Sequence, residues 1–493
     1  MADATHPAPS FLGKFTVLFG AARELWLTFA VKLLSYAAYA VTNLTLKLWL
    51  SSEFHYSDQQ ALGLVTVWAV GMTVVTLLVG ALTDAIGLRR AFFLGIWVCL
   101  AARAVMVFCT VPWAALAFGL FPLAVGEALG TPVLIAAVRK YSTTRQRSMS
   151  FSAAYMIMNL GSLAAAYLFD WVRQGVGEHG RLTLPWLGTS ISTYRTLFLV
   201  SLGIELLLLP LVWLMRPGVE IADDGVKIIS APPKAVSAAG NGLDSLFRSV
   251  RDSARETIRR FGELIQAQGF YRLLLFLLLI AFLKLIMMQM YYVFPQFGIR
   301  ELGEGAPVGK LWGLNAWIVI PAVPLIGALT QRFPAYGVVT VGAIISAASV
   351  FLMALPTACF QGLADSVWGQ WFGHHYLGLT GPVRPYYAMI VLFVMVFSLG
   401  EAFYSPRVYE YAAAIAPRGQ EASYGAFSYV PFLVGKLLVG TFSAALLARY
   451  CPAVGERHSG TMWLWVALTA AIAPVGLVAL RRWVRVPEAG RTG

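Results

Sequence analysis

Twelve segments of roughly twenty apolar residues, parted by short polar loops and one long polar stretch, constrain this chain more than any other feature. They run approximately over 24–50, 61–82, 91–109, 113–138, 149–171, 193–215, 271–296, 308–330, 335–356, 385–413, 422–447 and 460–481. Charged residues make up only 12% of the 493, whereas an ordinary soluble domain carries about 25%. A soluble core of this size cannot bury so much apolar surface. The pattern predicts an all-α membrane protein with twelve transmembrane helices in two six-helix bundles. Its formal charge of +13 is read as Lys and Arg kept on the cytoplasmic side rather than as a nucleic-acid footprint, since no basic soluble domain carries it.

The loops set the orientation. Arg89-Arg90, Arg139-Lys140 to Arg147, the central linker, Arg332, Arg418 and Arg481-Arg482 fall on one side, which the positive-inside rule makes cytoplasmic together with both termini. Residues 1–23 form a cytoplasmic N-terminus, 24–215 the first bundle, 216–270 a linker, 271–483 the second bundle and 484–493 a cytoplasmic tail. Within the linker Leu243, Phe247, Val250, Ala254, Ile258, Phe261 and Ile265 recur at helical spacing among arginines. Such a basic amphipathic helix lies on an anionic membrane surface or braces the two bundles. Met1–Ser10 lacks a signal-peptide pattern, so the first helix is expected to anchor the chain. Adjacent His374 and His375 are read as a solvated outer loop rather than a metal site. Cys359 and Cys451 both fall in outer loops, leaving open whether they join in a disulfide.

Charges inside the apolar segments are few and costly. Gly400-Glu401-Ala402-Phe403-Tyr404-Ser405-Pro406 places a carboxylate in mid-helix, and Gly126-Glu127-Ala128-Leu129-Gly130-Thr131-Pro132 repeats the pattern in the first half. Lys32 in the first segment is echoed by Lys284 in the seventh. A rise of 1.5 Å per residue puts Lys284 and Glu401 both about 20 Å from their cytoplasmic ends. Pairing lowers the cost of a buried charge, which predicts Lys284–Glu401 and Lys32–Glu127 pairs. Arg103 competes for Glu127 and has Glu205 as another partner; Lys436 competes for Glu401. Tyr36, Tyr39, Tyr291, Tyr292, Trp312 and Tyr404 are candidate pocket walls or ordinary packing.

Gly80-Ala-Leu-Thr-Asp84-Ala-Ile-Gly87-Leu-Arg89-Arg90 resembles the loop signature of the major facilitator superfamily, with Ala85 and Leu88 at two of its basic positions. Phe151-Ser-Ala-Ala-Tyr155-Met-Ile-Met-Asn159-Leu-Gly161-Ser162 resembles the helix-five signature of the proton-dependent oligopeptide transporter family, and Gly400 to Pro406 its helix-ten signature. The resemblance implies a major facilitator fold, with Tyr155, Asn159 and Glu401 facing a substrate cavity and Gly80, Asp84, Gly87, Arg89 and Arg90 latching helix ends. The family's helix-one Glu-x-x-Glu-Arg is absent, and Thr131 stands where its helix-four lysine precedes proline. The first half thus carries lysine on helix one and glutamate on helix four.

The expectation is a secondary active transporter of the plasma (inner) membrane, a monomer moving a short peptide or amino-acid-like solute with protons. Lys32, Tyr36, Glu127, Tyr155, Asn159, Lys284, Glu401 and Lys436 are its candidate coupling and solute residues. An uncoupled facilitator or exchanger, or a transporter-shaped sensor, is the alternative. No phosphate-binding loop, cofactor fingerprint or catalytic triad gives ATP-driven pumping or enzymatic activity a basis, and no cofactor is expected.

Overall fold

The computed structural model describes residues 18–485 except 87, 186–187, 217–218, 223–224, 229–250, 252–254, 256–269, 331–332 and 416–429. Twelve long helical units run through the described residues. The first half contains α1 (Arg23–Phe54), α2 (Asp58–Ile86), α3 (Leu88–Phe108), α4 (112–140), α5 (Thr144–Val176) and α6 (Thr193–Leu214). The second contains α7 (Phe270–Tyr292, continued as Phe294–Leu302), α8 (Val308–Leu329), α9 (Ala335–Leu352), α10 (Pro385–Ile415), α11 (430–450) and α12 (Ser459–Ala479). Among the described residues, eleven helices are long and apolar enough to cross a membrane. The exception is α5, which carries Asn159 at mid-helix and Asp170 toward its end; packing against α1 and α8 places it within the bundle.

Several helices outrun their apolar segments. Hydropathy detects the part that lipid solvates, whereas hydrogen bonding carries a helix on until a cap stops it. α5 starts early because Thr143 and Gln146 form a reciprocal capping box. α1 ends at His55, which adopts a left-handed conformation. Two short hairpins, Arg181–Leu184 with Thr189–Ser192 and Val219–Ala222 with Gly225–Ile228, occupy stretches that read only as loop and linker. The expected amphipathic linker helix over 243–265 lies mostly outside the described residues. The His374–His375 region is not an irregular loop but two helical turns, Val367–Trp371 and Phe372–Leu377. There His374 bonds the Leu379 carbonyl at 2.8 Å and Gln370 at 3.1 Å.

The packing repeats with an offset of six helices. The extensive contacts α1–α5, α1–α6, α2–α4, α3–α4 and α3–α6 recur as α7–α11, α7–α12, α8–α10, α9–α10 and α9–α12. The halves meet along α5–α8 and α2–α11, which the same offset exchanges. Each half therefore buries its stripes in one arrangement, and the interface between them has approximate twofold character.

Candidate functional site between the halves

The repeated Gly-Glu pattern has a packing half and a charge half. A Cβ on Gly126 would meet Cys99 Sγ of α3 at 2.5 Å, and one on Gly400 would meet Ser346 Oγ of α9 at 2.3 Å. Glycine is needed where the two backbones touch. Having the glycine pressed on the neighbouring helix turns the next residue, the glutamate, toward a different face of its own helix.

Glu401 is 2% exposed. It accepts from Asn315 Nδ2 of α8 at 2.8 Å, and the same amide donates to Ser398 Oγ at 3.0 Å. The Lys284–Glu401 ion pair expected from depth is not a direct one. Lys284 Nζ donates to Ser405 Oγ at 3.2 Å and lies 4.9 Å from the ring centres of both Tyr404 and Phe432. The two charges act on one another through space, each with neutral partners in contact. An amide suits the carboxylate because it neutralises nothing and donates well. Lys436 does not compete for Glu401 either. It crosses the interface to α2, donating to Ala69 O at 3.2 Å and Thr73 Oγ1 at 3.0 Å.

The Lys32–Glu127 pair is also corrected. Glu127 Oε1 takes Arg103 Nη2 at 2.5 Å, and Glu205 Oε2 takes Nη1 of the same guanidinium at 3.2 Å. Arg103 wins because its planar fork serves two carboxylates at once. Lys32 pairs with no carboxylate among the described residues.

Aromatic side chains join the halves above these charges. Tyr36 of α1 lies beside Tyr291 of α7, and Ser162 Oγ of α5 lies 3.4 Å from the Tyr291 hydroxyl. The Trp312 ring of α8 sits 5.7 Å from that of Tyr291. Tyr155 interacts with Ser405 and Glu401 of α10. Asn159 bonds back to the Tyr155 carbonyl at 3.0 Å, within its own helix. Gly161 lets this face of α5 approach α1, since a Cβ there would lie 2.8 Å from Leu33 O. Lys32 and Tyr36 are one turn apart, and Lys284 and Tyr291 two turns apart, so each pair shares a helix face.

Two latches close the end of the bundle that holds the α1–α2 loop. Asp58, opening α2, is bound by Lys47 of α1 and, at 2.8 and 3.0 Å, by Arg300 in the continuation of α7. Asp170 of α5 caps the start of α8, accepting from Gly309 N at 2.9 Å and Lys310 N at 2.6 Å. Arg173 beside it donates to Ala306 O at 3.2 Å while Glu178 holds it at 2.6 Å. Sequence reading missed these groups because they sit near helix ends, where charges are common and unremarkable. Asn315 gave one signal, a lone amide in an apolar segment. Of the expected loop latch, Arg89 donates to Trp213 O at 2.9 Å and Arg90 is exposed. The side chains of Gly80 and Asp84, and all of Gly87, lie outside the described residues.

The model of the Major Facilitator Superfamily matches residues 28–381. The chain belongs to that superfamily. It is an integral membrane protein with a transporter's architecture. Solved structures of similar fold include a POT family transporter in complex with 5-aminolevulinic acid, 13% identical, with TM-score 0.68 over 95% of this chain and 98% of that one. Another is a bacterial homologue of the human drug peptide transporters, 16% identical, with TM-score 0.65 over 94% and 98%. The nucleoside transporter NupG is 12% identical, with TM-score 0.63 over 93% and 100%. At such identities the likeness is one of fold. No functionally curated protein matches the sequence.

Proposed function

We propose that this superfamily member is a secondary active transporter that moves a small organic solute, short peptide or amino-acid-like, together with protons by alternating access. The observation that carries this reading is the buried Glu401 site between the halves. Its carboxylate is held by an amide, with Lys284 near but not bound to it. Such a carboxylate gains or loses a proton as its neighbours shift, because burial and a nearby cation act on it in opposite directions. The polar and aromatic groups around it offer an amphipathic solute both hydrogen bonds and stacking faces. The latches at one end describe a state closed there, and the six-helix halves are the rocking units. In the plasma (inner) membrane, with both termini cytoplasmic, that closed end faces outward, and the protein works as a monomer.

The missing helix-one Glu-x-x-Glu-Arg motif favours a second reading, an uncoupled facilitator or exchanger. Purified protein in liposomes separates the two. With a mixed pool of short peptides and amino acids, an inward proton gradient drives accumulation by the wild type, and Glu401→Gln abolishes it. Equal uptake with and without the gradient supports the facilitator. Absence of any flux across the pool sinks both readings and leaves a transporter-shaped sensor.

A further inference from the structure

The first half holds an unbalanced charge. Arg103, fully buried, sits between Glu127 and Glu205, whose side chains are 13% and 6% exposed. Its Nε donates to Ser201 Oγ at 3.1 Å, and that hydroxyl is itself spent on Phe198 O at 3.0 Å. All three edges of the guanidinium are committed. One cation therefore faces two carboxylates between α3, α4 and α6, leaving one negative charge over.

Among the described residues no protein cation cancels it. Lys32 on the packed face of α1 does not reach Glu127, and Lys436 is held by α2. The described side chains of α2 offer only Asp58 as a charged group, far along the helix and bound by Lys47 and Arg300. The remaining titratable neighbours are Cys99 of α3 and Tyr39 of α1, both neutral in their ordinary forms. A lone charge of this kind is strongly disfavoured in a bilayer interior.

We propose that the Arg103–Glu127–Glu205 triad is a proton-binding site, the two carboxylates sharing one proton taken from water. With the proton bound the triad is neutral; without it the layer between α3, α4 and α6 is anionic. The proton belongs to the pair rather than to either residue. The site lies within the first half, apart from Glu401, and supplies a proton carrier in a chain whose helix one lacks the Glu-x-x-Glu-Arg motif. Only its use in coupling rests on the transporter reading. The site itself stands on the charge count.

Infrared spectroscopy of the full-length protein in lipid films reads this without any solute. Titration from acid to alkaline pH in sodium-free buffer should show the carbonyl stretch of a protonated carboxylic acid persisting through neutral pH. Glu205→Gln and Glu127→Gln should each remove that band, because either change leaves one carboxylate against one guanidinium. Glu401→Gln should retain it. Each of the first two variants is sufficient alone if the other does not fold. A neutral-pH band unchanged in both variants overturns the proposal. So does a wild type with no such band whose melting temperature rises on adding sodium, since the ligand is then a metal cation. Neither result bears on the liposome flux that tests the transporter reading.

Discussion

Arg103 shows how residue chemistry overrides depth. Sequence depth leaves Glu127 open to Lys32 or Arg103, and a guanidinium can bond two carboxylates in its own plane whereas an ammonium cannot. The same scale separates the cysteines. Cys359 is exposed and Cys451 buried, and both are free thiols. Burial pushes the Cys451 thiol up to about 11. The thiolate is the reactive species, so a raised value suppresses reaction below that pH, and alkalinity restores it only where reagent can enter. A membrane-impermeant maleimide at neutral pH should label Cys359 rapidly and Cys451 at least about tenfold more slowly. Mass spectrometry of the non-reduced protein should show no Cys359–Cys451 peptide. Glu401 was legible at this scale as a costly charge; its partner Asn315 showed only as a lone amide in an apolar segment, which does not say what it bonds.

At the scale of the helix, the Gly126 and Gly400 contacts explain why a sequence pattern repeats. The glycine seats α4 on α3 and α10 on α9, and the glutamate follows from that seating. Gly400→Val drives two methyl groups into the Ser346 backbone and should cost at least about 1–3 kcal/mol, seen as a lower melting temperature in detergent. Gly130→Ala is the control. A Cβ there meets nothing within 4 Å, and alanine is the better helix former by up to about 1 kcal/mol, so the melting temperature should hold or rise. Helix existence was readable because lipid demands apolar length. Helix ends were less so, since caps such as Thr143 and His55 are local events that hydropathy averages away.

Across the whole molecule, the two latches bind opposite halves through carboxylates that cap or pair. Asp58→Asn removes the one negative charge that Lys47 and Arg300 share. Mutual repulsion of those cations should then open that end. Spin labels on exposed Gln59 and Glu304 should report a shift of the distance distribution to longer values, and an unchanged distribution would show that the Asp170 cap suffices alone. By itself the sequence determined the twelve-helix membrane architecture, the internal repeat and the identity of the expensive intramembrane charges. Each follows from what a bilayer will solvate, a property of residues one at a time. Only the tertiary structure decided which charge meets which. Pairing depends on the rotation and packing of neighbouring helices, and these are set by close contacts such as Gly126 on α3. Depth along a single helix does not contain that information.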